Sequence, residues 1–563
     1  MRRSRAGRRV IMLAKVAVSI HRAPDGPGPA TVASTRRARG WRLVPHSDNL
    51  VVFAAALVVV MALGIYLRTM LPSTGFWDTG EAQTVPPTLS IFHPTGFPVY
   101  TMLGWLWSQL PIGEVAWRMN LLSVVAVALA AGFVTLSAGL LIGVRDRALR
   151  ATAAGIGGSA FAFASEPWEN ATRADVHAIS ILSVTVLVWL LLSWGRAERA
   201  GSPRAGRWLV AAAAVFGIGL GVHPLIGLFA IGIVAWLFIV DRRFLRRRSL
   251  IVVCAAVLAL GVASFGYIWL RAIIDPEPAL FYGRPDTWER FRYVVFAEQF
   301  SGLFRDFRDP LAQLASKWAD AEAVLAVQFV TPGWLLVAVG AAVVASRSLG
   351  TLAVLGLFVF GNIFYSMNFR DGDIDRYYMP TVAVVAPLLG VAVAAIGAAG
   401  ARGVGEVARR LIVGRSPRQW LAGAAGALIL GLGALLPAAS VVTGYEAHDR
   451  SRNRDADAWV ASVHDLVPAN AVIVSWWSYS TPLWHHRWVR GERPDLTIID
   501  ERNILDDGYR TMSNAIRSFY GERPVYVLLP DWERRNVTER WELSTVPTLP
   551  GFTRLLLVEG PTR

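Results

Sequence analysis

The sequence predicts a polytopic α-helical membrane protein with a small C-terminal α/β domain. Three observations carry this reading. Hydrophobic residues make up 54% of the 563-residue chain and charged residues only 17%, where soluble proteins hold about 25% charged residues. The apolar residues gather in runs of about 20, the length that crosses roughly 30 Å of hydrocarbon. Arginine-rich turns alternate with loops rich in acidic and aromatic residues, the asymmetry of the positive-inside rule. The mean hydropathy is +0.42 and the net charge +15. In a soluble chain that charge would point to nucleic acid. Here it is confined to short turns between apolar runs, so nucleic acid is excluded as a partner and the bilayer is the expected environment. The one cysteine, Cys254, rules out an intrachain disulfide framework or a cysteine-based metal site.

Residues 1–46 are arginine-rich and are expected to form a disordered, basic cytoplasmic tail. The membrane domain is placed at 47–443. Its first span, about 50–71, leads into an outer loop over 72–117. The aromatic stretch Pro98–Leu110 in that loop is flanked by Pro94, Pro98 and Pro111 and is expected to form short helices lying along the interface. Cytoplasmic turns are marked by Arg145, Arg147 and Arg150, then by Arg196 to Arg207, by Arg242 to Arg248, by Arg347, and by Arg402 to Arg418. The apolar runs between them give about eleven spans. The Gly- and Ala-rich run at 151–164 suits close helix contact. Residues 271–331 and 368–378 are the other large outer loops. By parity the tail, 444–563, is extracytoplasmic. Short apolar runs at 471–476, 496–500, 524–529 and 553–559 alternate there with helical stretches, which predicts a small parallel α/β domain.

The stretch Trp77–Tyr100 concentrates the chemistry. Asp78 and Glu81 stand one helical turn apart at the mouth of the first span, followed by paired prolines and His93. Ionisable groups held close to hydrocarbon are costly and usually functional. Asp78 is the candidate general base, its pKa expected to rise with partial burial. Glu81 is expected to orient Asp78 or a substrate hydroxyl, with a divalent cation left open there; no cofactor is called for. Arg271 ends a span on the outer side, against the usual arginine bias, and is a candidate partner for a phosphate group, since guanidinium pairs with phosphate bidentately. Arg118 and Arg376 are weaker candidates of the same kind. His93 and His223 each lie next to a proline on the outer side. The alternating acids Asp371, Asp373 and Asp375 read as a solvated turn. His485 and His486 are adjacent, so they would not share a helix face as metal ligands do.

Six motifs stand out along the chain: Asp78-Thr79-Gly80-Glu81, His93-Pro94-Thr95-Gly96-Phe97-Pro98-Val99-Tyr100, Arg118-Met119-Asn120-Leu121-Leu122-Ser123, Gly221-Val222-His223-Pro224, Tyr267-Ile268-Trp269-Leu270-Arg271-Ala272 and Tyr377-Tyr378-Met379-Pro380. Together they resemble those of the domain-of-unknown-function 2723 group of bacterial membrane proteins, related to transmembrane protein 260 and to the protein O-mannosyltransferases. The chain departs from the family pattern at Asp175-Val176-His177-Ala178-Ile179, where glutamate, any residue, tyrosine, alanine and leucine are usual. The resemblance implies the C-type glycosyltransferase fold. It also implies transfer of a sugar, mannose foremost, from a polyprenyl-phosphate carrier to a protein or glycan hydroxyl outside the cytoplasm, with His93, Tyr100, Arg118, His223, Arg271 and Arg376 contributing to substrate binding.

Two other classes compete. A secondary transporter or lipid flippase would carry matching broken helices in both halves of the chain, and the opening loop has no second copy. A non-enzymatic assembly protein of the cell envelope would have no need of an acid-bearing loop.

Overall fold

The computed structural model describes residues 48–562 except 276–278, 412, 413, 505 and 550; the expected basic tail, 1–46, lies outside them. The apolar runs fold as helices because inside hydrocarbon every backbone N–H and C=O must be paired within the segment. Among the described residues, seven helices are long and apolar enough to cross a membrane: Asn49–Thr69, Val115–Leu141, Val176–Arg199, Arg248–Ile274, Leu349–Asn368, Ile374–Leu411 and Arg415–His448. Leu314–Ala326 with Thr331–Arg347, bent by 102°, makes an eighth if the pair is one span. The expected count of about eleven also needs the shorter helices Arg147–Ala162, Gly206–Val222 and Pro224–Val240. At 1.5 Å per residue these reach only about 25 Å, a little short of the roughly 30 Å of hydrocarbon.

The helices Val115–Leu141, Val176–Arg199 and Ile374–Leu411 are mostly buried and form the centre of the bundle, whereas Arg248–Ile274 and Arg415–His448 expose most of their surface. The Gly-rich helix Arg147–Ala162 packs as its composition predicts. A Cβ added at Gly390 of the central helix would fall 2.5 Å from the Ala153 carbonyl oxygen. Glycine lets the two backbones touch, and dispersion between them replaces the hydrophobic drive that lipid removes.

Between the first two spans lie two helices, Trp77–Thr88 and Pro98–Ser108. The second bears out a helix in the aromatic stretch. The first, called the acid helix below, packs on helix Trp477–Trp484 of the C-terminal region. A Cβ at Gly80 would lie 2.6 Å from the Gly75 carbonyl oxygen and 2.8 Å from Thr481 Oγ1. Both neighbours are held, one by backbone and one by a buried helix. Gly80→Ala is therefore expected to destabilise the protein by about 1–3 kcal/mol, the usual cost of overpacking, measured as a fall in thermal midpoint in detergent. An unchanged midpoint would contradict the close approach.

The C-terminal region carries one five-stranded sheet: β1 Val472–Ser475, β2 Thr497–Asp500, β3 Val525–Leu528, β4 Trp541–Val546 and β5 Leu555–Pro561, in the order β2-β1-β3-β5-β4. β1 pairs parallel with β2 and β3, as the βαβ spacing predicts. The expectation of a purely parallel sheet is corrected at the other end. β5 runs antiparallel to β3, and β4 closes a hairpin on β5. β4 is an edge strand, only partly buried, so its residues, WELSTV, lack the apolar run by which a buried strand is recognised.

Candidate active site

A cavity of about 950 Å³ opens where the acid helix, one end of the central spans and the C-terminal region meet. The polar side chains that line it include Asp78, His93, Arg173, Asp175, His177, His223, Asp373, Arg376 and Arg502.

The acid helix starts at Trp77, whose φ of +58° is in the left-handed region. A bulky residue there is strained, as residues beside functional groups often are. Its first turn turns Asp78 toward the cavity, and Glu81, three residues on, falls inside the fold, fully buried. The motif residues around it serve as ties. Gln83 accepts from the Gly75 N–H (2.9 Å) and donates to Ser73 O (3.1 Å) and Asn120 Oδ1 (2.9 Å). Asn120 donates to Leu71 O (2.8 Å) and accepts from the Ala174 N–H (2.8 Å), and Ser123 Oγ accepts from the Asp175 N–H (3.1 Å). The Asn120 and Ser123 positions thus fix two segments at once, the one before Asp78 and the one carrying Asp175.

Arg376 is the hub. Its guanidinium donates to Asp78 Oδ2 at 2.5 Å and to Asp175 Oδ2 at 3.2 Å, with Asp373 3.8 Å away. Arg376 and Asp175 are buried. The Arg376 turn is held by Asn362, which donates to Tyr377 O (2.9 Å) and accepts from Thr381. Beside it the rings of His177 and His223 lie 4.4 Å apart, and His223 stacks on Phe97 (5.3 Å). His223 Nδ1 accepts from the Leu225 N–H at 3.2 Å. From the sheet side, Arg502 lies 3.7 Å over the Trp477 ring, a cation–π contact.

The expectation of a raised Asp78 pKa is corrected. Burial does push its carboxyl up, but the charges of Arg376, His93 and Arg502 more than reverse that and hold it well below the usual carboxylate range. Asp78 is a firmly ionised carboxylate as long as Arg376 stays on it. At His93, burial pushes the imidazole pKa down, while the Glu81 carboxylate at 2.6 Å, helped by Asp78, outweighs burial and raises it. Glu81 also accepts from the His93 backbone N–H (2.9 Å). A His with a raised folded pKa stabilises the fold fully below its unfolded value, about 6.5, and that contribution is lost as pH rises through the folded value. The thermal midpoint of wild type should therefore exceed that of His93→Gln most in mildly acidic buffer, with the gap shrinking as pH rises. A gap independent of pH would rule out the imidazolium–carboxylate pair.

Of the residues singled out from the sequence, Asp78, His93, His223 and Arg376 line the cavity, and Glu81 sits directly behind His93. Three others do not line it. Tyr100 is buried against Phe92. Arg118 donates to the carbonyls of Ser108 (2.6 Å) and Leu110. Arg271 donates to Leu89 O (2.6 Å) and pairs with Asp275 (2.7 Å), while Tyr267 donates to Leu89 O and Ser90 O. The Tyr267/Arg271 motif thus grips the bend between the acid helix and His93. Sequence reasoning missed Arg173 and Arg502, isolated arginines in polar segments with no local signal. It set Asp175 and His177 aside because they depart from the family pattern, although an acid buried at a span mouth was a signal of the same kind as Asp78. Asp371 and Asp373, read as a solvated turn, also border the cavity.

Asp78, Glu81 and His93 place one ligand atom each within 4.8 Å of one another. Two carboxylates and an imidazole suit a divalent cation; such an ion would have to take over the contacts that Arg376 and His93 now make.

Fold and cavity define the class. This is a multi-pass helical membrane protein with the fold of ArnT from Cupriavidus metallidurans, solved with undecaprenyl phosphate, which it matches at a TM-score of 0.51 and 14% identity over 91% of this chain and 98% of that one. More particularly, residues 78–247 match the model of the protein O-mannosyl-transferase TMEM260 N-terminal domain. The mouse protein O-mannosyl-transferase TMEM260 is 25% identical over 507 residues, 86% of this chain and 66% of its own length. The Dictyostelium discoideum protein of the same name is 26% identical over 139 residues, 24% of this chain and 16% of its own. The chain thus spans less than two thirds of the length of these curated relatives. The family resemblance read from the motifs is borne out by these matches.

Proposed function

We propose that the protein is a membrane glycosyltransferase that moves a sugar, mannose foremost, from a polyprenyl-phosphate carrier to a protein or glycan hydroxyl outside the cytoplasm. The observation that carries this is the grouping, in one cavity, of an ionised aspartate with the arginines Arg376, Arg173 and Arg502 and the aromatic ring of Trp477. A transferase of this kind needs a base for the acceptor hydroxyl, positive charge for the departing lipid phosphate, and a surface for the sugar; the cavity offers a candidate for each.

In this reading Asp78 removes the acceptor's proton as its oxygen attacks the anomeric carbon. The bond to the phosphate oxygen breaks on the opposite face, giving inversion in a single displacement. The Asp78–Arg376 pair supplies an order of events. A donor phosphate drawn to Arg376 competes for the guanidinium that now holds Asp78. As that contact loosens, the buried carboxylate loses its counter-charge and its proton affinity rises. Base and leaving-group site are thereby coupled through one arginine. In this orientation the arginine-rich turns and the N-terminus face the cytoplasm, and the C-terminal domain lies outside with about eleven crossings between them.

The test is to incubate membranes containing the protein with radiolabelled polyprenyl-phosphate sugars and to follow label into protein, polysaccharide or lipid. Label from the mannosyl donor in protein or glycan is the expected result. Transport of the carrier across vesicles without any glycosyl product would overturn the reading in favour of a flippase.

A further inference from the structure

A second convergence of side chains lies in the C-terminal region, away from the residues lining the cavity. His464 belongs to helix Asp455–Leu466, His486 to the turn His485–Val489, and Glu492 follows that turn. His486 Nδ1 is 2.7 Å from Glu492 Oε2, and His464 Nδ1 is 3.8 Å from the same oxygen. The ligand atoms of the three residues all lie within 4.8 Å of one another. The other ring nitrogen of His486, Nε2, is 3.1 Å from Asp457 Oδ1.

His486 is buried and has a carboxylate at each nitrogen. A neutral imidazole has a single N–H and cannot donate to both. Its Nε2–H can go to Asp457, which leaves a bare Nδ1 lone pair facing the Glu492 carboxylate, with a second imidazole nitrogen beside them. A doubly protonated ring would donate to both carboxylates; around the neutral ring three lone-pair donors face one point and repel unless a cation sits among them. A ring that gives one nitrogen to a metal and its remaining N–H to a carboxylate is the usual way a metal-bound histidine is oriented. His485, adjacent in sequence, is not in the group, so the third ligand position is filled across the fold by His464.

We propose that His464, His486 and Glu492 bind one divalent transition-metal ion, with Asp457 orienting His486 and solvent completing the coordination. Two imidazoles and one carboxylate suit zinc. Glu492 is partly exposed, which gives the ion an entry path. The site joins helix Asp455–Leu466 to the turn at 485–489, and that turn packs against the acid helix that bears Asp78. Asp457 also accepts from Arg490 (3.2 Å), whose guanidinium reaches Glu114 (3.0 Å) at the head of the span Val115–Leu141. The ion would thus fix the ground on which the acid helix rests, a structural role independent of the proposed transfer reaction.

The full chain, carrying an affinity tag without histidines, would be purified in detergent, equilibrated with zinc and exchanged into metal-free buffer for elemental analysis and thermal unfolding. Wild type is expected to retain one more zinc equivalent per chain than Glu492→Gln or His464→Gln. Asp78→Asn and His93→Gln should retain that equivalent, which separates the site from the Asp78–Glu81–His93 group. Chelator should lower the thermal midpoint of wild type and leave that of Glu492→Gln unchanged. Because Glu492 is partly exposed, its glutamine variant is the one expected to fold even if His464→Gln does not. Equal zinc content in wild type and a folded Glu492→Gln would overturn the proposal.

Discussion

Replacing Asp78 with asparagine is expected to lower sugar transfer by about 10²–10⁴-fold, the range a positioned general base contributes. Asparagine keeps the shape of the side chain and can still accept a hydrogen bond from Arg376, but it cannot take the acceptor's proton. Arg376 keeps its second partner, Asp175 at 3.2 Å, so membrane insertion and the fold should survive. The measurement is initial rate of label transfer at matched amounts of folded protein. The pH profile gives an independent check. Asp78 is held well below the usual carboxylate range, and the stability its charge contributes is present above the ordinary value and lost only as pH falls through the depressed one. In the absence of donor, wild type should therefore keep the Asp78–Arg376 pair through the pH at which ordinary aspartates titrate. Wild-type turnover in Asp78→Asn would remove this residue from the chemistry.

Arg376→Gln is expected to be the most damaging single change in the cavity. It strips the cation from Asp78 and from the buried Asp175 together. Removing one partner of a buried ion pair and leaving the other costs about 3–5 kcal/mol, so the thermal midpoint should fall sharply and transfer should be lost. The effect should not add to that of its partner. In an Asp175→Asn background one of the two orphaned carboxylates is gone, and Arg376→Gln should cost less by about 0.5–3 kcal/mol, the coupling expected of contacting residues. Thermal unfolding of the four combinations measures this. Strict additivity would mean that Arg376 and Asp175 do not share one network.

How much was legible in the chain differs between the fold and the site. Apolar run length and the arginine bias of the turns exposed the helical membrane bundle, because hydrocarbon admits few other solutions. The parallel part of the C-terminal sheet was legible from its buried strands, β1 and β3. Its edge strand β4 was not, since a half-exposed strand carries little pattern. In the opening loop, Asp78, Glu81 and His93 were found because motif and membrane context coincide. Tyr267 and Arg271 were legible as a motif but not as a clamp on Leu89, a role that depends on a backbone carbonyl 178 positions from Tyr267 and 182 from Arg271.

The polytopic helical bundle, the acid-bearing loop after the first apolar run and the family resemblance of the motifs follow from the chain alone, because each rests on local composition or on residues close together in it. Which charges meet depends on the folded chain. It put Arg376, 298 residues away, onto Asp78, brought Arg502 over Trp477 from the sheet, and reversed the expected shift in the Asp78 pKa. Burial can be anticipated from hydrophobic surroundings, but a carboxylate's charge state is set by which guanidinium lies within a few ångströms of it. That distance is fixed by packing across the whole fold.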